Sequence, residues 1–276
     1  MNRQEDLIKA GGWKYLIVLD ACRYDYFKRN CRIPGRLQQA ISPACHYKGT
    51  VTSNWYRYIF IGEYPDIIHV SGHPRVNSRV PVEGFDAKKH FSKIIDVWDT
   101  DWDDSIGTVF PESLTARAID TIKEYPDKRF IIHYVQPHTP YICLGVPDAK
   151  KKKTPASRQS FGFKLKEFTV SRVRCFLGDI EAVNIMRFFR LPALSPMDDA
   201  LRKVGPQGVK NAYRDNLCRV LKSVEDLIKE ANGKVVITSD HAEFLGEYRR
   251  FGHNSSMCRH KELIEVPWFE VEQGKS

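Results

Sequence analysis

Three observations place this 276-residue chain in the α/β class, as a three-layer α/β/α sandwich around a mostly parallel sheet. Apolar runs of strand length, Tyr15–Leu19 and Val235–Thr238 foremost, are continuous rather than alternating, which is the pattern of strands covered on both faces. Helical stripes lie between such runs: Leu114, Ala118 and Ile122, then a long one from Val209 to Ile228. The runs also end in chemistry. Asp20 follows the first, His138 follows Phe130–Val135 by a short loop, and Ser239-Asp240-His241 closes the last. In an open α/β sheet the carboxyl ends of the strands are where ligands bind, because the strand-to-helix loops open a crevice there.

Taken in order, Trp13-Lys14 leads into the first strand, and Ala21–Asp25 turns into a short helical stretch broken at Pro34-Gly35, with Arg23 pointing near Asp20. Ser42-Pro43 opens a loop, after which Trp55, Ile59 and Phe60 take helical spacing. Thr52 or Ser53 is the expected N-cap, and the alternative role for a hydroxyl there is a nucleophile beside free helix N–H groups. Ile67–Val70 predicts a short strand ahead of Ser71-Gly72-His73-Pro74. Val80–Gly107 reads as irregular cover with a small helix near Lys88–Val97, and Pro111-Glu112 starts a helix that Pro126 follows. Pro137 and Pro140 are expected to hold His138 in an extended loop, whereas His133, inside its strand, reads as a packed core histidine. Asp179–Arg190 suggests a partly amphipathic helix, Asn232-Gly233 ends the long one, and Glu262–Trp268 approaches an edge strand. Histidines 46, 69, 73, 90 and 260 read as structural or solvated.

The organisation expected is one domain, 1–276, with an inserted basic cap at about 144–206. A formal net charge of +9 and a pI near 9.1 call for an anionic partner, and much of the excess lies between Lys150 and Arg174. Contact of that insert with an anionic membrane is one reading of it; no nucleic-acid motif accompanies the charge, so no specific nucleic-acid binding is expected. Seven scattered cysteines without a C-x-x-C argue against a disulfide framework or a thiolate zinc site. With no apolar run of membrane-spanning length and no signal-peptide layout at Met1–Asp6, the expectation is a cytoplasmic protein, peripheral to a membrane at most. Asp240-His241 is a hard-oxygen and imidazole pair suited to Zn²⁺ or Mn²⁺.

Leu19-Asp-Ala-Cys-Arg23, the hydroxyl at Thr52, Gln136-Pro-His-Thr-Pro-Tyr141, Ser239-Asp-His-Ala-Glu243 with Leu245-Gly-Glu247, and Gly252-His253 ahead of Glu262–Pro267 follow one another in an order that resembles the alkaline phosphatase and sulfatase superfamily, in particular its prokaryotic sulfatase-like proteins. The resemblance implies an alkaline-phosphatase-like fold and one or two divalent ions, Zn²⁺ or Mn²⁺ ahead of Mg²⁺ or Ca²⁺. It implies that Asp20, Asp240 and His241 ligate the metal together with the nucleophile Thr52. His138 and His253 match positions that contact ester oxygens or the leaving group, and Arg23 offers a fixed charge for the anion. Thr50 and Ser53 stay open as nucleophiles, because the loop before Thr52 leaves the alignment there loose. Ala242 stands where glycine is commoner, and the C-x-P-x-R or C-x-A-x-R sequence of formylglycine sulfatases has no match. The expected activity is therefore hydrolysis or transfer of a phosphate ester, a diester or phospho-head-group, by a hydroxyl nucleophile. The alternatives are sulfate-ester hydrolysis without formylglycine and a non-catalytic module that binds anions or membranes. Oligomeric state is not legible.

Overall fold

The continuous apolar runs form the centre of an eight-stranded sheet. The structure, a computed structural model, describes residues 2–45, 51–146, 170, 172–253 and 259–272. The strands of the sheet are β1 (Asn2–Arg3), β2 (Tyr15–Leu19), β3 (Gly35–Ile41), β4 (Tyr64–Ser71), β5 (Phe91–Asp96), β8 (Arg129–Tyr134), β9 (Val235–Thr238) and β12 (Glu265–Val271). β6 (Trp102–Asp103) pairs with β7 (Thr108–Val109), and β10 (Phe244–Leu245) with β11 (Phe251–Gly252), as two small separate ribbons. The order across the sheet is β1-β3-β12-β9-β2-β8-β4-β5. All neighbours are parallel except β12, which runs against both β3 and β9.

Both faces are covered, which is why the central strands carry no polar alternation. Tyr15, Ile17 and Leu19 pack on Phe27 of α2 (Tyr24–Asn30), Leu114, Ala118 and Ile122 of α5 (Pro111–Glu124), and Leu217, Val220 and Val224 of the long helix α7 (Pro196–Glu230). Leu16, Val18, Ile131 and Val236 face the other way, onto Ile8 of α1 (Gln4–Lys9) and Trp55, Tyr56 and Ile59 of α3 (Thr52–Ile59). A fully buried aliphatic side chain contributes about 1.5–3 kcal/mol, so these two layers are the main source of stability. A third cluster joins α6 (Asp179–Phe188) to the first part of α7 and to Leu245 and Phe251 of the β10–β11 ribbon. Helix α7 bends at Gly205, whose φ of 68° is left-handed and open to glycine, with Pro206 behind it.

Several expectations change. Where a helix was expected near Lys88–Val97 there is a single 3₁₀ turn (Ala87–Lys89), then strand β5, then the short α4 (Val97–Thr100). The polar faces of Ser92 and Lys93 look outward at the sheet edge, so the segment lacks a core strand's signature. The Glu262–Trp268 segment begins as the short α8 (Lys261–Ile264) and becomes β12, an interior strand rather than an edge one. Pro267 inside it is the misleading residue, since proline normally confines a strand to an edge. β1 and β3 are not visible in the sequence pattern. Around His138 the chain turns instead of running extended, and the Gln136–Pro137 and Thr139–Pro140 peptides are both cis. The Lys150–Lys153 run and Thr50 lie outside the described residues; the described part of the insert, 144–146, 170 and 172–206, packs through the third cluster. The six cysteines among the described residues are free thiols.

Candidate metal centre and active site

Four neighbouring strands, β9, β2, β8 and β4, run parallel and end at one edge, and each delivers a polar residue there: Asp240-His241, Asp20, His138 and His73. Ser239 locks two of these turns together. Its hydroxyl accepts the Cys22 N–H at 2.7 Å and lies 2.6 Å from the Leu19 carbonyl. Ala21, next to Asp20, holds a left-handed φ of 57°, a conformation that costs a non-glycine residue about 1–2 kcal/mol. Tyr213 of α7 stabilises it by donating to the Ala21 carbonyl at 2.8 Å while accepting the Arg23 N–H at 2.9 Å.

Asp20, Asp240 and His241 are buried, and one ligand atom from each lies within 4.8 Å of the others. The donor set fits a divalent cation on the molecule's own terms. His241 Nδ1 lies 3.1 Å from the Ala242 carbonyl, which assigns it the proton and leaves a lone pair on Nε2. That lone pair faces Asp20 Oδ1 at 3.7 Å and Asp240 Oδ2 at 3.5 Å, and Asp240 Oδ2 has no hydrogen-bond donor although buried. Three acceptor atoms turned on one another without a donor make a cation cradle.

The electrostatics agree. Burial penalises charge on both carboxyls, and Asp20, facing Asp240, is pushed well above the usual carboxylate range. Asp240 goes the other way, because nearby imidazoles, the Thr52 side chain and the Ala21 N–H outweigh its burial. Burial also lowers the pKa values of His241, His73 and His133.

Thr52 is the first residue of α3, but the N-cap is Val51 and no side chain caps the helix. The residue is buried instead, and its side chain is among the groups that hold the Asp240 carboxyl down. Ser53 points elsewhere, donating to Glu83. His138 is held over the site by its N–H to the Asp20 carbonyl (3.2 Å) and by Asn216 of α7, whose amide reaches the carbonyls of Pro137, His138 and Pro140 at 3.2–3.4 Å. Its Nδ1 lies 2.8 Å from the Thr139 carbonyl, so Nε2 is an acceptor; 3.2 Å away is His253 Nε2, which then carries the shared proton. The His253 ring stacks 4.5 Å from His241.

Thus Asp20, Thr52, His138, Asp240, His241 and His253 converge. Arg23 does not join them: its guanidinium forks onto Asp25 at 2.9 and 3.1 Å and reaches Glu247 at 2.7 Å, tying α2 to the loop after Glu243. Three groups went unread in the sequence. His73 Nδ1 accepts the Arg75 N–H at 3.0 Å, which leaves Nε2 as a donor 3.3 Å from Asp20 Oδ2, so His73 steadies a ligand and is not one. Gly72 lets this turn close, since a Cβ there would sit 3.0 Å from the His133 carbonyl. Applying to Ile67–Val70 the strand-end rule that singles out Asp20 would have found it. Glu243 is wholly buried with both oxygens unpartnered, and burial pushes its carboxyl up to about 7. Arg75 is a cation whose field reaches Asp20, His73 and His241.

Neither a protein-family model nor a curated protein sequence matches the chain. Solved structures do. The soluble domain of lipooligosaccharide phosphoethanolamine transferase A from Neisseria meningitidis superposes with a TM-score of 0.51 at 15% identity, over 94% of this chain and 77% of that one. Against the full-length integral membrane protein the chain spans about half, 48%. The C-terminal periplasmic domain of EcEptC from Escherichia coli, a complex with Zn, gives 0.51 at 11%, over 97% and 75%. A 2-O GAG sulfatase gives 0.54 at 10%, over 94% and 64%. At such identities the likeness establishes the fold alone: the chain shares the fold of these transferase and sulfatase structures.

The expected cytoplasmic location is overturned by the same structures, one a periplasmic domain and another part of an integral membrane protein. The physical reason is that a folded domain's core and surface charge carry no compartment address, so the polar residues at Met1–Asp6 give no ground for that placement.

Proposed function

We propose that the chain is a metal-dependent transferase or hydrolase of phosphate esters, working outside the cytoplasm on a diester or phospho-head-group. The observation that carries this is the buried Asp20–Asp240–His241 cradle, with the buried Thr52 side chain near enough to act on the Asp240 carboxyl. Zn²⁺ or Mn²⁺ suits two carboxylates, one imidazole and one hydroxyl, and the Zn complex of the EcEptC domain supports the same choice. A divalent ion bound there supplies a lowered hydroxyl pKa and offsets charge on the non-bridging ester oxygens.

The chain's own groups do the rest. Beside Asp240, Thr52 would give up its hydroxyl proton to solvent before the cycle begins; its oxygen then bonds to phosphorus as the bond to the leaving oxygen breaks, and it leaves the second half as the same deprotonated oxygen. The proton on His253 Nε2, shared with His138, passes to that leaving oxygen. Arg75 adds positive potential for the anion. In the second half an acceptor hydroxyl or water forms the new P–O bond, the Thr52–phosphorus bond breaks, and the histidine pair recovers a proton from the acceptor. His73 keeps Asp20 in its ligating rotamer throughout.

The test is metal content of protein purified without chelator, beside Asp240→Asn, with phosphodiester and matched aryl sulfate hydrolysis scored on the same samples. About one equivalent of Zn or Mn with phosphodiesterase activity, both lost in the variant, is the expected result. Sulfate turnover exceeding phosphate would replace the reading with a sulfatase, and metal-free inactive wild type that Zn²⁺ or Mn²⁺ does not rescue would end it.

A further inference from the structure

The cap carries an exposed aromatic pair that the chemistry above does not use. Phe188 is 81% and Phe189 64% exposed, at the C-terminal end of α6, with their rings 5.1 Å apart edge to face. Arg187 and Arg190 flank them, both exposed. Beside them a cleft of ≈ 290 Å³ opens between α6 and the first segment of α7, where the bend at Gly205 swings that segment aside. Its floor is aliphatic, from Ile180, Val183 and Leu201, and its cations are Arg187, Arg202 and Lys203.

Arg202 is the informative residue. Its Nε and Nη2 are buried without a hydrogen-bond partner, an uncommon state for a guanidinium. The nearby acids are engaged elsewhere, Asp198 with Arg174 at 2.8 Å and Asp199 with Lys203 at 2.9 Å. Burial holds the Arg202 group below its ordinary value, against the pull of those acids. An anion in the cleft would satisfy it.

Aromatic rings beside cations, over an aliphatic cleft with unmet donors, match a surface that is anionic at headgroup level and apolar beneath. A polynucleotide would want an open ring face for stacking, and here the two rings meet edge to face. No helix among the described residues is long and apolar enough to cross a membrane, so contact through these residues is at the surface. The face is rigidly joined to the active site as well: Asp179, which begins α6, accepts the Phe251 N–H at 2.7 Å, two residues before His253.

We propose that this face of the cap, Phe188 and Phe189 with Arg187 and Arg202, docks on an anionic lipid bilayer, the rings entering the interface and a lipid phosphate meeting Arg202 in the cleft. The docking does not depend on the ester chemistry and is tested without it. The full chain is sedimented with vesicles of phosphatidylglycerol and phosphatidylcholine, and with phosphatidylcholine alone, at low and high salt. Binding to the anionic vesicles that weakens with salt is expected. Phe188→Ser with Phe189→Ser, both exposed and so without cost to the fold, should lower partitioning about tenfold or more. Arg202→Gln should lower it about threefold or more on anionic vesicles and leave any weak binding to neutral ones unchanged. A double phenylalanine variant that binds like the wild type overturns the proposal, since another surface is then responsible. Displacement from vesicles by single-stranded polynucleotide at equal phosphate concentration also overturns it, in favour of nucleic acid.

Discussion

Asp20 and Arg23 are three residues apart on one turn, and they end in opposite conditions. Around Arg23 everything is matched: Asp25 and Glu247 take its donors, the Glu243 carbonyl lies at 3.3 Å, and the Tyr26 ring lies 5.4 Å away. Around Asp20 matching fails, with Asp240 Oδ2 and both Glu243 oxygens buried and unpartnered. A satisfied ion network holds shape, whereas an unsatisfied one has kept room for something not made of protein. Charge and burial alone do not separate the two, since both groups are charged and both lie below the surface.

The sharpest way to break this comparison is at Thr52. Thr52→Ala should lower phosphodiester turnover by about 10³-fold or more with the melting temperature nearly unchanged, measured by steady-state kinetics and thermal unfolding. Next is His253→Ala, expected to cost about 10²–10³-fold with an alkyl leaving group and much less with a nitrophenol, which leaves without a proton. If Arg23 belongs to the satisfied group, Arg23→Met should act on stability instead, by roughly 1–3 kcal/mol after allowing for the part exposure of Asp25 and Glu247, and leave the Michaelis constant in place. A raised Michaelis constant without loss of stability would return Arg23 to the substrate.

The smallest effect sharpens the comparison through pH. Glu243 ionises near 4.5 when unfolded and at about 7 when folded, so the folded state suffers no penalty below pH 4.5 and a growing one as pH rises to 7. In metal-free protein Glu243→Gln should therefore melt like wild type at pH 4 and be more stable at pH 8 by up to about 3 kcal/mol, read from denaturant midpoints at both pH values.

How much of this was legible follows from what each residue depends on. Asp20, His138 and Asp240-His241 could be read because parallel strands buried on both faces leave an unmistakable apolar run, and whatever follows the run lies at the ligand edge. Thr52 was legible only as one hydroxyl of three; that Val51 takes the cap position, freeing Thr52 for Asp240, depends on how α3 meets the sheet. His73 sits in a Ser-Gly-His-Pro stretch that resembles any turn, and its meaning comes from β4 lying next to β8. Glu243 lies in the Asp240-His241 motif, yet it is wholly buried, and the Tyr141 and Tyr213 rings that feel its charge come from elements far away in sequence. β1, β3 and β5 went unread because they lie toward the margins of the sheet and carry polar residues, and β12 was read as an edge strand because of Pro267 although it lies inside the sheet.

That reversed strand has a consequence for how the protein is made. β12, residues 265–271, stands between β3 and β9, so the β1–β3 pair, made well before it, has no sheet to join until residue 271 has left the ribosome. Until then the open flank of β3 and, once made, the exposed side of β9 are unpaired strand edges, the kind that chaperones cover and aggregates recruit.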